Sequence, residues 1–536
     1  MRLRMRSWSI GLAAALILYV ATMAPGLLWG DGGEAQLHVL SSEWYVHGEI
    51  ARSHVLFYAL ARFLRIMFGL EPTRAANLLA AFGGALTVAN VAWLLAALCR
   101  NAAAILGGTV LLLVSHTLWQ MSASADCITL STALLTTELI GLIKLMETGR
   151  WRWLAAIALL NGLGISNHDL ALLMWPVYLA AAIRFWPRWR QQRVSAIVTA
   201  GLGVLLGAVP VLLLCVDDWW RRGDLSATAE SFLFGQYVAR VANVGGVPKL
   251  LARTLGITLL NFPTPLLACC VTGLGACRRV FDPAIAWALI GGMLVYAVFG
   301  ARYDVPDQHT FLVPAFVFLA LFIALGVDQW IQARSQSDGD ADRTSEERRA
   351  KRKDDASDQA IRSPILGVRS SGLRVRYTVV ILFLSMLGPI VYAAAPPLLR
   401  RFALEASFLP SRQVAHRDPL KWFLRPWRAG YDGPERFARK TLQALPHGAW
   451  LAVDATLCTP LNYLQAAESF RRDVRLDSWL ARQPWFDDGD HQTLREEKLA
   501  AGLLFAASRD PHYLPAWLRQ PGYRFEPIGH VFRVSR

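Results

Sequence analysis

The chain has 536 residues, 54% of them hydrophobic and 20 of them Trp, with a mean hydropathy of +0.33. That is far more apolar surface than a soluble core of this size needs, which excludes an ordinary water-soluble enzyme and implies a polytopic membrane protein. The net charge of +15 does not imply nucleic acid, because Lys and Arg concentrate in short segments between hydrophobic runs, where they encode membrane topology.

The N-terminus carries Arg2, Arg4 and Arg6 and continues as an apolar run from Trp8 to Leu28. This run is longer than a signal-peptide core, and Ala24-Pro25-Gly26 is a poor cleavage site, so an uncleaved first helix is expected. About 20 apolar residues cross a hydrocarbon core. Further runs lie near 75–98, 102–119, 126–146, 152–166, 169–185, 194–216, 249–275, 282–300, 309–327 and 377–394, bringing the predicted helices to eleven. Residues 53–70 are also apolar, but Arg62 and Arg65 interrupt them, and an interfacial helix on the outer face keeps the count consistent.

Charge tests that count. Arg100, Lys144, Arg150, Arg184, Arg188, Arg193, Arg278 and Arg279 fall on the side of the N-terminus. Asp31, Glu34, Glu43, Glu49, Asp126, Asp217, Asp218, Asp304 and Asp307 fall on the other, with fewer cations. The N-terminus is therefore expected in the cytoplasm and the C-terminal region outside it. Residues 1–330 form the expected polytopic catalytic domain, with an outer first loop at 29–74. Residues 331–376, rich in Ser, Asp, Arg and Lys, read as a disordered cytoplasmic linker, and 377–394 as the last transmembrane helix. Beyond it, 395–536 is a mixed polar sequence in which Ala449–Val453 and Val474–Leu480 read as strands and Thr459–Ala467 as helix, enough for a small extracytoplasmic α/β domain.

The sites that carry chemistry lie at the outer ends of these helices. Asp31-Gly-Gly-Glu34 emerges just after the first span, where one carboxylate can accept a proton from an attacking hydroxyl and the other can orient the acceptor. The alternative is a polar helix-exit turn whose acids obey topology. His168-Asp169 is a titratable pair at a helix junction, read as a site or as a mutually satisfied cap. Asp217-Asp218-Trp219-Trp220-Arg221-Arg222 sits at a membrane edge, where Arg221 or Arg222 can hold a lipid phosphate or the tryptophans can simply anchor the interface. Arg302, Asp304, Asp307 and His309 share one loop, either walling the same cavity or capping the helix that follows. Their spacing matches no metal template, and no Walker loop, dinucleotide fingerprint or serine elbow occurs. No disulfide framework is expected from the seven cysteines, of which only Cys458 lies in the polar tail. A nucleotide-sugar donor belongs on the cytoplasmic side, opposite these acids.

Four separated segments carry a family resemblance. They are Asp31-Gly-Gly-Glu34 with Arg74-Ala75-Ala76-Asn77-Leu78-Leu79; Gly162-Leu163-Gly164 through His168; Val305-Pro306-Asp307-Gln308 with Phe311 and Pro314; and Leu445-Pro446 to Asp454 with Tyr463-Leu464-Gln465 and Asp473-Val474. In this order they resemble the bacterial membrane-protein family related to transmembrane protein 260, a protein O-mannosyltransferase among the lipid-donor glycosyltransferases of the GT-C fold. One segment departs: Ile50-Ala51-Arg52-Ser53-His54-Val55 stands where the family has a His-Pro-Pro-Gly-Tyr-Pro-like turn. The resemblance implies a mainly α, GT-C-like bacterial inner-membrane enzyme. It transfers a hexose such as mannose from a polyprenyl-phosphate carrier to protein Ser/Thr, or to an envelope lipid or polysaccharide. Together with the charge placement it implies a single inverting displacement with Asp31 as base, Glu34 orienting the acceptor, and His54, His168, Asp169, Arg221, Arg222, Arg302, Asp307 and His309 as substrate-binding candidates. No cofactor is implied. A transporter or flippase, or an envelope scaffold, is the competing class.

Overall fold

A computed structural model describes every residue except 42, 47, 190, 242–244, 354–365, 403–413, 479, 480, 482 and 484–490. Helix α1 (Arg2–Thr22) is followed by α2 (Gly30–Leu40), α3 (Val55–Phe68) and α4 (Pro72–Leu98). Helix α3 buries Phe57, Tyr58 and Ala61 and exposes Phe63, Ile66, Met67 and Phe68, the two-faced composition of a helix lying along a membrane surface. The next helices are α5 (Ala102–Leu113), α6 (His116–Ser122), α7 (Ile128–Thr148), α8 (Arg152–Asn167), α9 (Trp175–Phe185) and α10 (Arg193–Arg222). Then come α11 (Leu225–Leu233), α12 (Val238–Val241), α13 (Val247–Asn261), α14 (Cys269–Val280), α15 (Pro283–Arg302), α16 (Gln308–Phe311), α17 (Val313–Lys353), α18 (Leu366–Ser385) and α19 (Leu387–Arg401).

Among the described residues, seven stretches are long and apolar enough to cross a membrane: α1, α4, α7, α10, α15, Val313–Gln336 of α17, and Val375–Arg401 across α18 and α19. The pair α5 and α6, bent by 58°, makes an eighth if counted as one span. All eleven expected apolar segments are mainly helical, and several are short or broken, the bent α5–α6 pair among them. Helix α8 has only 16 residues, and the segment from 169 opens as a 3-10 turn before α9. The run expected at 249–275 stops at Asn261 because Pro263 and Pro265 cannot continue the hydrogen-bond ladder, and it resumes at α14. The linker expected to be disordered is helical over 331–353, in sequence containing the strong helix formers Ala, Glu, Arg and Lys, and again over 366–376, while 354–365 lie outside the described residues.

Small residues let the helices approach. A Cβ added at Gly207 of α10 would lie 2.3 Å from the Leu159 carbonyl oxygen, and one at Gly162 of α8 would lie 2.2 Å from that of Val204. Helices α14 and α17 meet the same way at Gly273 and Gly326.

The two ends of this body differ. At one, Arg4 pairs with Glu147 at 2.6 Å, and Asp328 accepts from the backbone N–H of Arg100 and Asn101 at 3.1 and 2.8 Å. At the other sits the C-terminal domain, with α20 (Pro419–Leu424), α21 (Gly433–Ala444), β1 (Trp450–Ala452), α22 (Ala455–Glu468), β2 (Arg475–Asp477), α23 (His491–Ala500), β3 (Leu504–Ala506), β4 (Arg524–Ile528) and β5 (Val531–Ser535). Its sheet has the order β2-β1-β3-β5-β4, with β1 parallel to both β2 and β3, so Leu451 lies beside Leu476 and Phe505. Both expected strands are present in shortened form. Leu27, Trp29 and Leu37 of the first loop are buried in one core with Phe437, Leu442, Leu457 and Leu461. The α/β domain is thus built onto the first loop, at the end of the body opposite Arg4.

Replacing Gly207 by Val should therefore cost about 1–3 kcal/mol by overpacking, read as a lower midpoint of thermal unfolding in detergent. Gly201→Val, at a site with nothing within 4 Å, should leave that midpoint nearly unchanged.

Candidate active site

The site begins with how α2 is held. Gly30 adopts a φ of 55°, a left-handed conformation that glycine tolerates, and turns the chain into α2. Gln36 on the buried side of α2 reaches back, donating to the Gly26 carbonyl at 3.0 Å and to Asn77 Oδ1 at 3.1 Å, while its own oxygen accepts from Leu28 N–H at 3.0 Å. Asn77 donates to the carbonyls of Ala24 and Gly26 at 3.0 and 3.2 Å. Gly33 has no room for a side chain, since a Cβ there would lie 2.5 Å from Thr459 Oγ1 of α22. These contacts set Asp31 in the first turn of α2, where the helix dipole favours a carboxylate.

Asp31 opens into a cavity of about 760 Å³ between the helical body and the C-terminal domain. Asp126 and Asp307 share its wall. Asp126 caps α7 by accepting from Ile128 N–H at 2.9 Å. Asp31 meets solvent on its cavity side and is crowded by protein on its others. Burial, then repulsion from Asp307, pushes its carboxyl up to about 6 against an opposing pull from Arg52. Burial, with Asp31 and Asp307 adding to it, pushes Asp126 up to about 7 despite the Ile128 hydrogen bond.

Cations line the rest of the cavity: Arg240, Lys249 and Arg253 from the α12–α13 region, and Arg417 and Arg428 from the segment around α20. None of the five forms a salt bridge among the described residues. Backbone carbonyls solvate several of them instead. Arg240 donates to Asp304 O at 2.8 Å, Arg253 to Val305 O at 3.1 Å and Pro306 O at 2.5 Å, and buried Arg428 to Trp422 O at 2.8 Å, Trp427 O at 3.2 Å and Arg425 O. Burial pulls the Arg428 guanidinium down to about 9, which still leaves it charged. Such a wall suits an anion, because it brings positive charge with no acidic partner to displace.

The expected site residues divide in two. Asp31, His54, His168, Asp307 and His309 line the cavity. His54 Nδ1 donates to the Asn167 carbonyl at 2.8 Å, which leaves Nε2 as an acceptor, and its ring stacks on His168 at 5.1 Å. Burial and then His168 push His54 down to about 3, so it is neutral near pH 7. His309 is neutral for a similar reason: burial first, then Arg253 and Arg428, push it down to about 3.

The other five lie elsewhere. Glu34 is buried behind Asp31, 2.6 Å from Arg52 and 3.9 Å from His38, and does not line the cavity. Asp169 sits 2.5 Å from His168 Nδ1, as a partner for that ring. Arg221 pairs with Asp217 at 3.0 Å and Arg222 with Asp218 at 3.3 Å. Those acids in turn tie down the first loop through Tyr45 Oη, at 2.6 Å from Asp217, and Gly48 N–H, at 3.1 Å from Asp218. Arg302 is exposed at the end of α15, off the cavity wall.

Asp126 and the five cations were not among the sequence-derived candidates. A signal existed for Arg253, Arg417 and Arg428, which lie at the end where the charge rule expects few cations. Arg253 was hidden inside an apolar run read as a span.

No family model and no curated protein matches the chain. The crystal structure of ArnT from Cupriavidus metallidurans bound to undecaprenyl phosphate superposes with a TM-score of 0.56 at 14% identity, over 98% of this chain and 97% of that one. The apo structure of the same protein gives 0.52 at 16% identity, over 98% and 96%. The chain resembles ArnT in fold. This bears out the expected GT-C-like fold class, helical body and C-terminal sheet domain included. The narrower kinship to the transmembrane protein 260-related family finds no support in these comparisons.

The two acids of the first turn should behave oppositely when neutralised. Glu34→Gln removes the carboxylate that Arg52 meets at 2.6 Å and should cost about 3–5 kcal/mol, seen as loss of folded protein on detergent extraction. Asp31→Asn removes a charge already repelled by its neighbours and should leave thermal stability unchanged or raise it.

Proposed function

We propose that the protein is a membrane glycosyltransferase that moves a sugar from a polyprenyl-phosphate carrier to an acceptor hydroxyl. One observation carries the reading: a cavity at one end of a membrane-spanning body sets unpaired cations and a crowded group of carboxylates on its walls. Phosphate of the donor meets Arg240, Lys249 and Arg253. The acceptor hydroxyl meets Asp31. The likeness of fold to a protein crystallised with undecaprenyl phosphate agrees with a lipid carrier as donor.

In this reaction the acceptor oxygen attacks the anomeric carbon, its proton passes to Asp31, and the bond to the phosphate oxygen breaks with its electron pair leaving on the phosphate. Cations beside that phosphate stabilise the charge as it develops. The positive character gathering on the sugar ring is met by the remaining carboxylates, Asp126 and Asp307. Neutral His54, with Nε2 free to accept, can hold a hydroxyl of either substrate. The second-carboxylate role first given to Glu34 passes to Asp126 or Asp307, and Glu34 with Arg52 becomes support for the α2 turn. A hexose such as mannose and a protein Ser/Thr acceptor remain the preferred substrates, on the family resemblance. The orientation we infer puts the N-terminus in the cytoplasm of a bacterial inner membrane and the cavity outside.

Asp31→Asn should lower transfer by about 10²–10⁴-fold with membrane abundance unchanged, measured by mass spectrometry of envelope glycoproteins and glycolipids. Unchanged glycosylation would remove Asp31 from the base role. The pH profile supplies an independent check. A base must be ionised, so activity should fall as pH drops through about 6. Asp307→Asn removes a repelling charge and should move that limb to lower pH, whereas Arg52→Gln removes an attracting one and should move it higher.

A further inference from the structure

The reaction just described draws on His54, but the cavity wall holds a second imidazole beside it. His54 precedes α3 and His168 follows α8, and their rings stack with centroids 5.1 Å apart and planes 29° from parallel. Tyr58 makes edge contact with His54 at 6.1 Å and Phe311 with His168 at 5.9 Å, so aromatic neighbours confine both rings.

The same nitrogen anchors each ring. His54 Nδ1 donates to the Asn167 carbonyl at 2.8 Å, and His168 Nδ1 lies 2.5 Å from the Asp169 carboxylate. The Leu170 N–H also approaches His168 Nδ1, at 3.3 Å, but the carboxylate is both the closer and the charged partner and holds the proton on that nitrogen. In each neutral ring Nε2 is then the remaining acceptor. Both rings are partly exposed and line the cavity. Neither Nε2 bonds to a partner among the described residues, and neither is sealed away from solvent. Two acceptors therefore stand a ring stack apart, both Nδ1 edges being committed to the 167–169 segment.

A ligand for this pair must bring two donors. Phosphate oxygens bring none, and no three His, Cys, Asp or Glu groups converge to hold a metal among the described residues. Hydroxyls on neighbouring carbons of a sugar ring supply two donors, held at a fixed short spacing by the ring itself. An amine in place of one hydroxyl would serve as well, so the pair reads the placement of donors rather than charge. The transferred sugar is the substrate concerned: Asn167 Nδ2 donates to the Cys127 carbonyl at 2.9 Å, which ties the segment carrying His168 to the residue after Asp126, a carboxylate set against the sugar ring above.

Resting on the glycosyltransferase reading, we propose that His54 and His168, the latter oriented by Asp169, form a two-acceptor subsite that recognises a pair of hydrogen-bond donors on neighbouring carbons of the transferred sugar, as two hydroxyls supply.

The test uses the full-length protein in nanodiscs, without acceptor, and carriers of one chain length: polyprenyl phosphate without sugar, the same lipid bearing mannose, and the series of its monodeoxy analogues. Binding is read by Trp fluorescence, since Trp29 and Trp422 line the cavity. His54→Asn and His168→Asn each keep a donor near the Nδ1 position and remove Nε2. Each should weaken the mannosyl carrier by about three- to tenfold and leave the sugar-free lipid unchanged. The loss from His54→Asn should vanish on one deoxy analogue, and that from His168→Asn on the analogue lacking the hydroxyl of an adjacent carbon. Asp169 is a positioning residue, so Asp169→Asn should lose affinity on the same carriers as His168→Asn. Losses that persist on every analogue, that vanish on non-adjacent positions, or that fall equally on the sugar-free lipid would overturn the inference. The unaltered protein decides the matter without any variant if no two deoxy analogues of neighbouring carbons bind more weakly than the mannosyl carrier, which would also overturn it. Failure of every carrier, the sugar-free one included, would overturn the transferase reading and this inference with it; sugar-free binding as tight as that of the mannosyl carrier overturns the inference alone.

Discussion

Helix α2 is wedged between two bodies, and the cavity follows from how it is held. On one side Gln36 and Asn77 tie the chain between Ala24 and Leu28 to the start of the second long helix through buried amide hydrogen bonds. On the other, Gly33 presses against Thr459, and Leu27, Trp29 and Leu37 complete the core of the α/β domain. A shift of the first body would break buried polar contacts, and a shift of the second would open packed apolar surface; both are costly. The carboxylate of Asp31 is therefore fixed relative to residues more than two hundred positions away.

Around that fixed point the electrostatics divide by wall. Burial and mutual repulsion push Asp31 up to about 6 and Asp126 up to about 7, while Arg240, Arg253 and Arg428 rest on carbonyl dipoles without a salt bridge among the described residues. Folding pressure alone would pair these groups, because a buried charge is tolerable mainly when compensated. Holding them apart leaves room for the phosphate-bearing donor and the proton-losing acceptor that we propose. Residues outside the cavity show the contrast. Glu34 with Arg52, Asp217 with Arg221 and Asp218 with Arg222 are paired and serve as ties between segments.

Much of this was open to a reader of the chain. The apolar runs, the alternation of basic and acidic loops and the short strands beyond residue 449 predict a membrane body with a small sheet domain, because hydrophobic length and loop charge are properties of local sequence. Asp31, Asp307 and His309 were visible as polar residues in the loops between apolar runs for the same reason. Breaks within the spans were less visible: hydropathy averages over a window and passes across Pro263 and Pro265, where the backbone cannot.

What the sequence by itself determined is the class of protein, a helical membrane body with a small sheet domain, since that depends on how each segment partitions between water and lipid. Only the tertiary structure decided that Asp31 meets the cavity while Glu34, three residues on, turns to Arg52, and that Asp126, Arg253 and Arg428 share one chamber. Those outcomes depend on which helix face each side chain occupies and on contacts between segments hundreds of residues apart. No local pattern encodes them.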